Sequence, residues 1–175
     1  SSTKALEDYN AKSAGEDIEN FTNQLSNWYI RRNRRRFWKS EPGFEKQSAY
    51  STLYTCIYNL HRLVAPFMPF LAEEIYQNIV RETDKDAPIS VHLSSWPKAE
   101  SYWQDDELRN EISVVQQVGE LGRSAREESR VRVRQPLAKL LVRSPNEDAQ
   151  QAVVHHKHQI LDELNVKELE LVAED

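Results

Sequence analysis

Between Asn27 and Lys39 the chain reads Asn-Trp-Tyr-Ile-Arg-Arg-Asn-Arg-Arg-Arg-Phe-Trp-Lys, and six of the last nine residues are basic. The whole chain carries a formal net charge of -5, so this positive charge is local. Trp28, Tyr29, Phe37 and Trp38 flank it. Guanidinium groups beside flat aromatic rings suit a polyanion that also offers bases to stack on, which is nucleic acid. The competing reading is a solvated basic helix face paired with the chain's own acids. A second basic stretch runs from Arg123 to Arg143, with seven Lys and Arg against Glu127 and Glu128. Within it Arg130, Arg132 and Arg134 stand at alternate positions. From Glu147 to Asp175 eight acids face only Lys157 and Lys167. The chain is thus polarised, with two basic stretches and an acidic end.

No set of residues reads as a catalytic site. The four glycines are scattered and form no phosphate-binding loop. No Gly-x-Ser-x-Gly occurs among the serines. His155, His156 and His158 suggest a metal at first sight. The adjacent His155 and His156, however, cannot share a helix face, and no Cys or further His has ligand spacing, so no metal site is expected. Glu73-Glu74 and Glu127-Glu128 are likewise neighbours, and they read as helix-dipole and surface charges rather than an acid/base pair. Cys56 falls in an apolar stripe and reads as a core residue.

Composition bounds the remaining classes. With 175 residues, 39% of them hydrophobic, and a mean hydropathy of -0.74, the chain is soluble yet able to build a core. No apolar run approaches the ~18–20 residues of a membrane span. No basic, apolar and small-residue series opens the chain as a signal peptide would. A single cysteine excludes an intrachain disulfide and suits a reducing compartment, so the expected location is the cytoplasm. The chain does not begin with Met, and the helical segment Ser2 to Tyr9 is too short to stand alone. Both features read as a piece of a longer protein.

The elements that must position these residues follow from periodicity. Ile18, Phe21, Leu25 and Trp28 recur at steps of three and four, which predicts a helix from about Ala14 to Trp38. On it Arg32 and Arg36 share the apolar face, whereas Arg31, Arg34 and Trp38 point away. Phe44 to Val64 is a second helix with the stripe Tyr50, Leu53, Ile57, Leu60 and Val64. A third opens at Pro69, a residue suited to a first helical turn, with Leu71, Ile75 and Ile79 on one face. Thr83 to Pro97 is a loop containing a short extended piece at Ser90–Leu93. Asp105 to Glu128 is a long helix with the stripe Leu108, Ile112, Val115, Val118, Leu121 and Ala125. Gly119 and Gly122 either weaken that helix or admit a close neighbour. Arg130 to Arg134 alternates with period two and reads as extended. Leu137–Val142 and Val166–Val172 read as strands, with a helix from Glu147 to Leu164 between them. A strand–helix–strand series with a helix of this length makes a small parallel βαβ unit. The expected division is therefore 1–129, a helical bundle, and 130–175, a small α/β subdomain.

Four motifs occur in order: Asn27 to Lys39, Leu63-Val-Ala-Pro-Phe-Met-Pro-Phe-Leu-Ala-Glu-Glu-Ile-Tyr76, Ser90-Val-His-Leu-Ser-Ser-Trp-Pro97, and Val131-Arg-Val-Arg-Gln-Pro-Leu137. Together they resemble the C-terminal anticodon-binding region of class I isoleucyl-tRNA synthetases. The Pro-Phe-x-Pro-Phe stretch with Ala-Glu-Glu is shared with valyl and leucyl relatives. The Trp-Tyr-Ile-Arg-Arg run, the Arg-Arg-Arg-Phe-Trp-Lys-Ser-Glu run and the closing Asp162 to Glu170 segment resemble the isoleucyl enzyme. The fold implied is mainly α, the anticodon-binding helical bundle of class Ia synthetases followed by a small βαβ appendix.

The family's His-Ile-Gly-His and Lys-Met-Ser-Lys-Ser signatures are absent from this chain, so the resemblance implies a non-catalytic module without a cofactor of its own. ATP, magnesium, isoleucine activation and editing of mischarged valine would belong to the parent enzyme. The implied partners are isoleucine tRNA and the catalytic domain of the same parent chain, with no membrane. Phosphates supply affinity in such a complex and bases are read by stacking and by their edges. Arg31, Arg34, Arg35 and Lys39 are accordingly expected at phosphates and Trp38 as a stacking platform. Arg32 and Arg36 are expected at a seam with the catalytic domain or at closer tRNA contacts, and Arg130, Arg132 and Arg134 form a second RNA-binding strip. Trp28, Tyr29, Trp96 and Trp103 are expected to pack. The alternative is a non-catalytic basic helical module that docks an acidic protein partner, or RNA outside translation.

Overall fold

The computed structural model describes residues 2–38 and 41–172. Its contacts divide the chain into two compact units, Ser1–Ala99 and Glu100–Asp175. The division thus falls 30 residues before the boundary expected at 129–130, because the long helix expected in the bundle packs with the βαβ elements that follow it. Among the described residues no helix is long and apolar enough to cross a membrane.

The first unit is helical. Helix α1 covers Ser2–Glu7 and α2 covers Ala11–Gln24. The Asn10 side chain starts α2 by accepting the Ser13 N–H at 3.1 Å, satisfying one of the donors every helix start leaves open. The chain then continues through a π-helical turn, Leu25–Ile30, to a short helix α3, Arg34–Trp38. The single helix expected to end near Trp38 is thus interrupted twice, by the wide turn and by a break at Asn33. There the Asn33 carboxamide donates to the Tyr29 carbonyl at 2.9 Å. Helix α4 runs Phe44–Val64, with the bounds the apolar pattern predicts. Helix α5, Pro69–Tyr76, has its proline in the first turn and continues as a π-helical turn, Gln77–Arg81.

The buried face of α5 is not the expected stripe. Ala72, Tyr76 and Val80 are buried, together with Val91 and against Tyr58, Ala65 and Ala87, whereas Leu71 is half-exposed. Tyr76 donates its hydroxyl to the Pro88 carbonyl at 2.6 Å, tying the following loop to the helix. Glu73 adds a second tie. Its carboxylate accepts the Ser90 hydroxyl at 2.8 Å, the Val91 N–H at 2.9 Å and the Gln77 amide at 2.7 Å. Burial raises its pKa, yet these hydrogen bonds outweigh that and hold it below the usual carboxylate range. Glu73 is thus a loop clamp, not the helix-dipole charge expected. The segment it clamps, Val91–Leu93, is a 3₁₀ turn rather than an extended piece. On α4 the fully buried residues are Ala49 and His61. His61 donates through Nδ1 to the Ile57 carbonyl at 2.8 Å, and burial pushes its pKa down, aided by Arg62 and opposed by that hydrogen bond. Cys56 is partly buried, which pushes its thiol pKa up, as suits a packing residue.

The second unit contains α6, Asp106–Glu128, capped by the Asp105 carboxylate on the Leu108 N–H at 2.8 Å. Strand β1, Leu137–Arg143, pairs in parallel with β2, Val166–Val172, from Leu137↔Val166 to Arg143↔Val172. Between them the expected single helix is two. Helix α7, Glu147–His155, and helix α8, Lys157–Leu164, meet at His156, whose φ of -101° and ψ of 20° leave the helical range. Asn146 caps α7 on the Ala149 N–H, and Asn165, left-handed at φ 49°, ends α8. Along α6 the buried residues are Val115, Gly119 and Arg126, while Leu108 and Leu121 of the expected stripe are exposed. Turns at Arg130 and at Val133 and Arg134 replace the strand that the alternation over residues 130–134 predicts.

Candidate nucleic-acid interface

Two arginine-bearing surfaces stand on the two units, and each is built differently. In the first unit the exposed residues Arg31, Arg34, Arg35 and Trp38 are carried by the short stretch that follows the π-helical turn. That stretch is held by Phe37, 4% exposed. Its ring meets Tyr29 and Tyr50 edge-on, at centroid distances of 6.2 and 5.1 Å. Tyr29 donates its hydroxyl to the Ala49 carbonyl at 3.1 Å, and Tyr50 donates to the Phe37 carbonyl at 3.3 Å. Three aromatic rings and two hydrogen bonds thus pin α3 to α4. Arg34 and Arg35, in the same short helix, gain a fixed backbone from the packing of Phe37, since helical neighbours point to different faces.

Arg32 and Arg36 face inward, as their phase predicts, and both are partly buried. Arg36 donates to the Asn33 side chain at 3.0 Å and to the Glu45 carbonyl at 2.8 Å, close to the start of α4. It therefore acts within its own unit as a strap between α3 and α4. Arg32 lies over the Trp28 ring at 4.8 Å. Trp38 is 66% exposed, with the Arg34 guanidinium 5.9 Å from its ring and Phe37 edge-on at 5.9 Å. It presents a large apolar plane with a cation beside it. Lys39 lies outside the described residues.

In the second unit Arg130, Arg132 and Arg134 are exposed on the turn between α6 and β1. Arg130 has φ 55°, a left-handed backbone that few residues other than glycine adopt readily. The device that holds this turn is Arg126, which the sequence reading missed. Its guanidinium donates to four backbone carbonyls: Arg132 and Gln135, each at 3.1 Å, Leu164 at 2.6 Å, and Asn165 at 3.2 Å. Asn165 adds a bond from its carboxamide to the Val133 carbonyl at 3.0 Å. One signal was present in the sequence. Val115, Gly119, Gly122 and Arg126 keep the four-three-four spacing of one helix face, so the arginine continues the buried line.

The other aromatic candidates divide. Trp28 and Tyr29 are partly buried, and Trp96 donates its indole N–H to Thr3 at 3.0 Å. Trp103, expected to pack, is instead well exposed beside Tyr102.

A family model described as the anticodon-binding domain of tRNA ligase matches residues 1–141. Nearly the whole chain is similar to enzymes named isoleucine–tRNA ligase. That of Dehalococcoides mccartyi strain 195 is 49% identical over 95% of this chain and 16% of its own length. That of Thermus thermophilus is 42% identical over 97% of this chain and 16% of its own. That of Thermobifida fusca is 43% identical over 95% of this chain and 15% of its own. The chain thus spans about one sixth of the length of these relatives.

Proposed function

The chain belongs to the family of anticodon-binding domains of tRNA ligases, and on that premise we propose that it docks the anticodon arm of isoleucine tRNA for an isoleucine–tRNA ligase. The observation that carries this reading is the exposed set Arg31, Arg34, Arg35 and Trp38 on a backbone pinned by Phe37. In a chain of net charge -5, a fixed row of unburied guanidinium groups beside an unburied indole fits phosphates alternating with bases. On this reading Arg31, Arg34 and Arg35 meet backbone phosphates, with Lys39 extending the row. Trp38 offers its face to an unstacked base, and Arg130, Arg132 and Arg134 supply a second backbone contact. Arg36 supports the row by strapping α3 to α4, and Arg32 lies at the edge where closer contacts form. The rest of the parent ligase binds ATP and magnesium and carries out isoleucine activation and, in a separate inserted domain, editing, and tRNA charging by such an enzyme belongs to the cytoplasm.

Titration of the chain with isoleucine tRNA transcript across salt concentrations tests this. Wild-type binding is expected to weaken steeply with salt, because each neutralised phosphate releases counterions. The triple substitution R31A/R34A/R35A is expected to lower affinity roughly tenfold or more and to flatten the log–log salt slope by about two to three. Unchanged affinity and slope overturn the assignment. A transcript with a substituted anticodon separates the two contributions: a further loss shows base reading by the module, and equal binding shows backbone docking alone.

A further inference from the structure

Glu111 of α6 and the two adjacent histidines at the α7–α8 junction converge. Glu111 Oε1 lies 3.2 Å from His155 Nδ1, and Oε2 lies 2.9 Å from His156 Nε2. The imidazoles stack with centroids 4.8 Å apart and planes 21° from parallel. One nitrogen of each ring and a carboxylate oxygen all fall within 4.8 Å of one another, and no other group of His, Cys, Asp and Glu among the described residues does so. On an unbroken helix adjacent residues point about 100° apart. Here the backbone leaves the helix at His156, and that departure turns both rings to one side. The expectation that these two histidines cannot act together fails for that reason.

Packing does not demand this convergence. His156 and Glu111 are mostly buried, but the His155 side chain is 69% exposed, yet its ring lies against the second oxygen of the carboxylate whose other oxygen meets His156. Two imidazoles and one carboxylate, drawn from segments 44 residues apart, form a donor set that first-row divalent cations favour over magnesium or calcium. The surroundings also fit. The Gln159 carboxamide lies 3.1 Å from His156 Nδ1. With its NH₂ turned inward, it leaves the ring proton on Nε2 for Glu111. With its oxygen turned inward, it accepts a proton on Nδ1 and frees the Nε2 lone pair for a metal.

We propose that Glu111, His155 and His156 form a binding site for a first-row divalent metal ion, zinc foremost, that clamps α6 to the α7–α8 junction. Three protein donors leave at least one position for water, and His155 gives the ion access from solvent. Gln159 is a positioning residue that sets the His156 tautomer.

The test is a zinc titration by calorimetry of the untagged 175-residue chain, previously stripped with a chelator, with cobalt absorption as a second probe. One equivalent is expected to bind with a Kd of about 10 μM or tighter, and zinc is expected to raise the unfolding temperature. H155N is expected to weaken binding at least tenfold without changing the zinc-free melting curve, because His155 is largely exposed. E111Q is expected to do the same to affinity. Absence of saturable binding below about 1 mM, or full affinity in both variants, overturns the proposal.

Discussion

At the scale of single residues, the second arginine surface depends on one that never reaches solvent. Arg126 is 4% exposed, and every carbonyl it serves belongs to the turn 132–135 or to the end of α8 and its cap. Hydrogen bonds from a charged donor contribute more than neutral ones, and a buried carbonyl left alone costs about 1–3 kcal/mol. Arg126→Met keeps the apolar stem and removes the donors, so it is expected to lower the unfolding free energy by about 3 kcal/mol or more, read by urea denaturation. Arg126→Lys keeps the charge but not the planar fork, and a single ammonium cannot meet four carbonyls in that geometry. Its loss is expected to fall between wild type and Met. Equal stability of all three would show that the four bonds are replaceable by water.

At the scale of elements, the contact between α6 and α8 explains why two glycines in one helix differ. A Cβ on Gly122 would fall against Leu164 Cδ1 and lie 2.8 Å from Cδ2, and Leu164 is itself fully buried. A Cβ on Gly119 would meet nothing nearer than 3.5 Å, at Arg123 and Glu163. Gly122→Ala is expected to destabilise by about 1–3 kcal/mol through overpacking. Gly119→Ala is expected to stabilise by about 0.5–1 kcal/mol, because alanine loses less backbone freedom in a helix. Opposite signs in thermal or urea unfolding check the pair. The sequence held α4 and β2 to the residue and the parallel βαβ order, because large apolar residues at regular spacing mark element limits well. It misplaced the buried faces of α5 and α6. The residues that pack there include Ala72, Gly119 and Gly122, and small residues at close helix approaches carry almost no hydrophobic signal. It also missed the break at His156, which no proline or glycine marks. The outward residues Arg31, Arg34 and Trp38 were legible from helical phase, whereas phase did not mark Arg35. The strap made by Arg36 and the turn held by Arg126 depend on partners remote in sequence.

At the scale of the whole molecule, the charge divides as the units do. Residues 1–99 hold thirteen Lys and Arg against twelve acids, and residues 100–175 hold ten against sixteen. Affinity for a polyanion is therefore expected mainly in the first unit, where six basic residues fall within nine positions, with the second unit's net negative charge opposing it. The division itself lies beside a cleavable stretch. Tyr102 and Trp103 are 74% and 61% exposed in a 3₁₀ turn at the start of the second unit, just before α6. Exposed aromatic side chains on a short surface turn suit chymotrypsin, whereas the aromatic residues of α4 and α5 would require local unfolding first. Brief digestion is expected to cut after Tyr102 or Trp103, and also after Tyr9, 97% exposed in the turn between α1 and α2, which trims only the first nine residues. On a heparin or tRNA column, the piece carrying Arg31 to Lys39 is expected to elute at a salt concentration no lower than that of the intact chain. The piece carrying α6 to β2 is expected to elute well before it. Should the second piece be the one retained, the surface formed by Arg130, Arg132 and Arg134 would be the principal polyanion contact, and the exposed row on α3 would have another role.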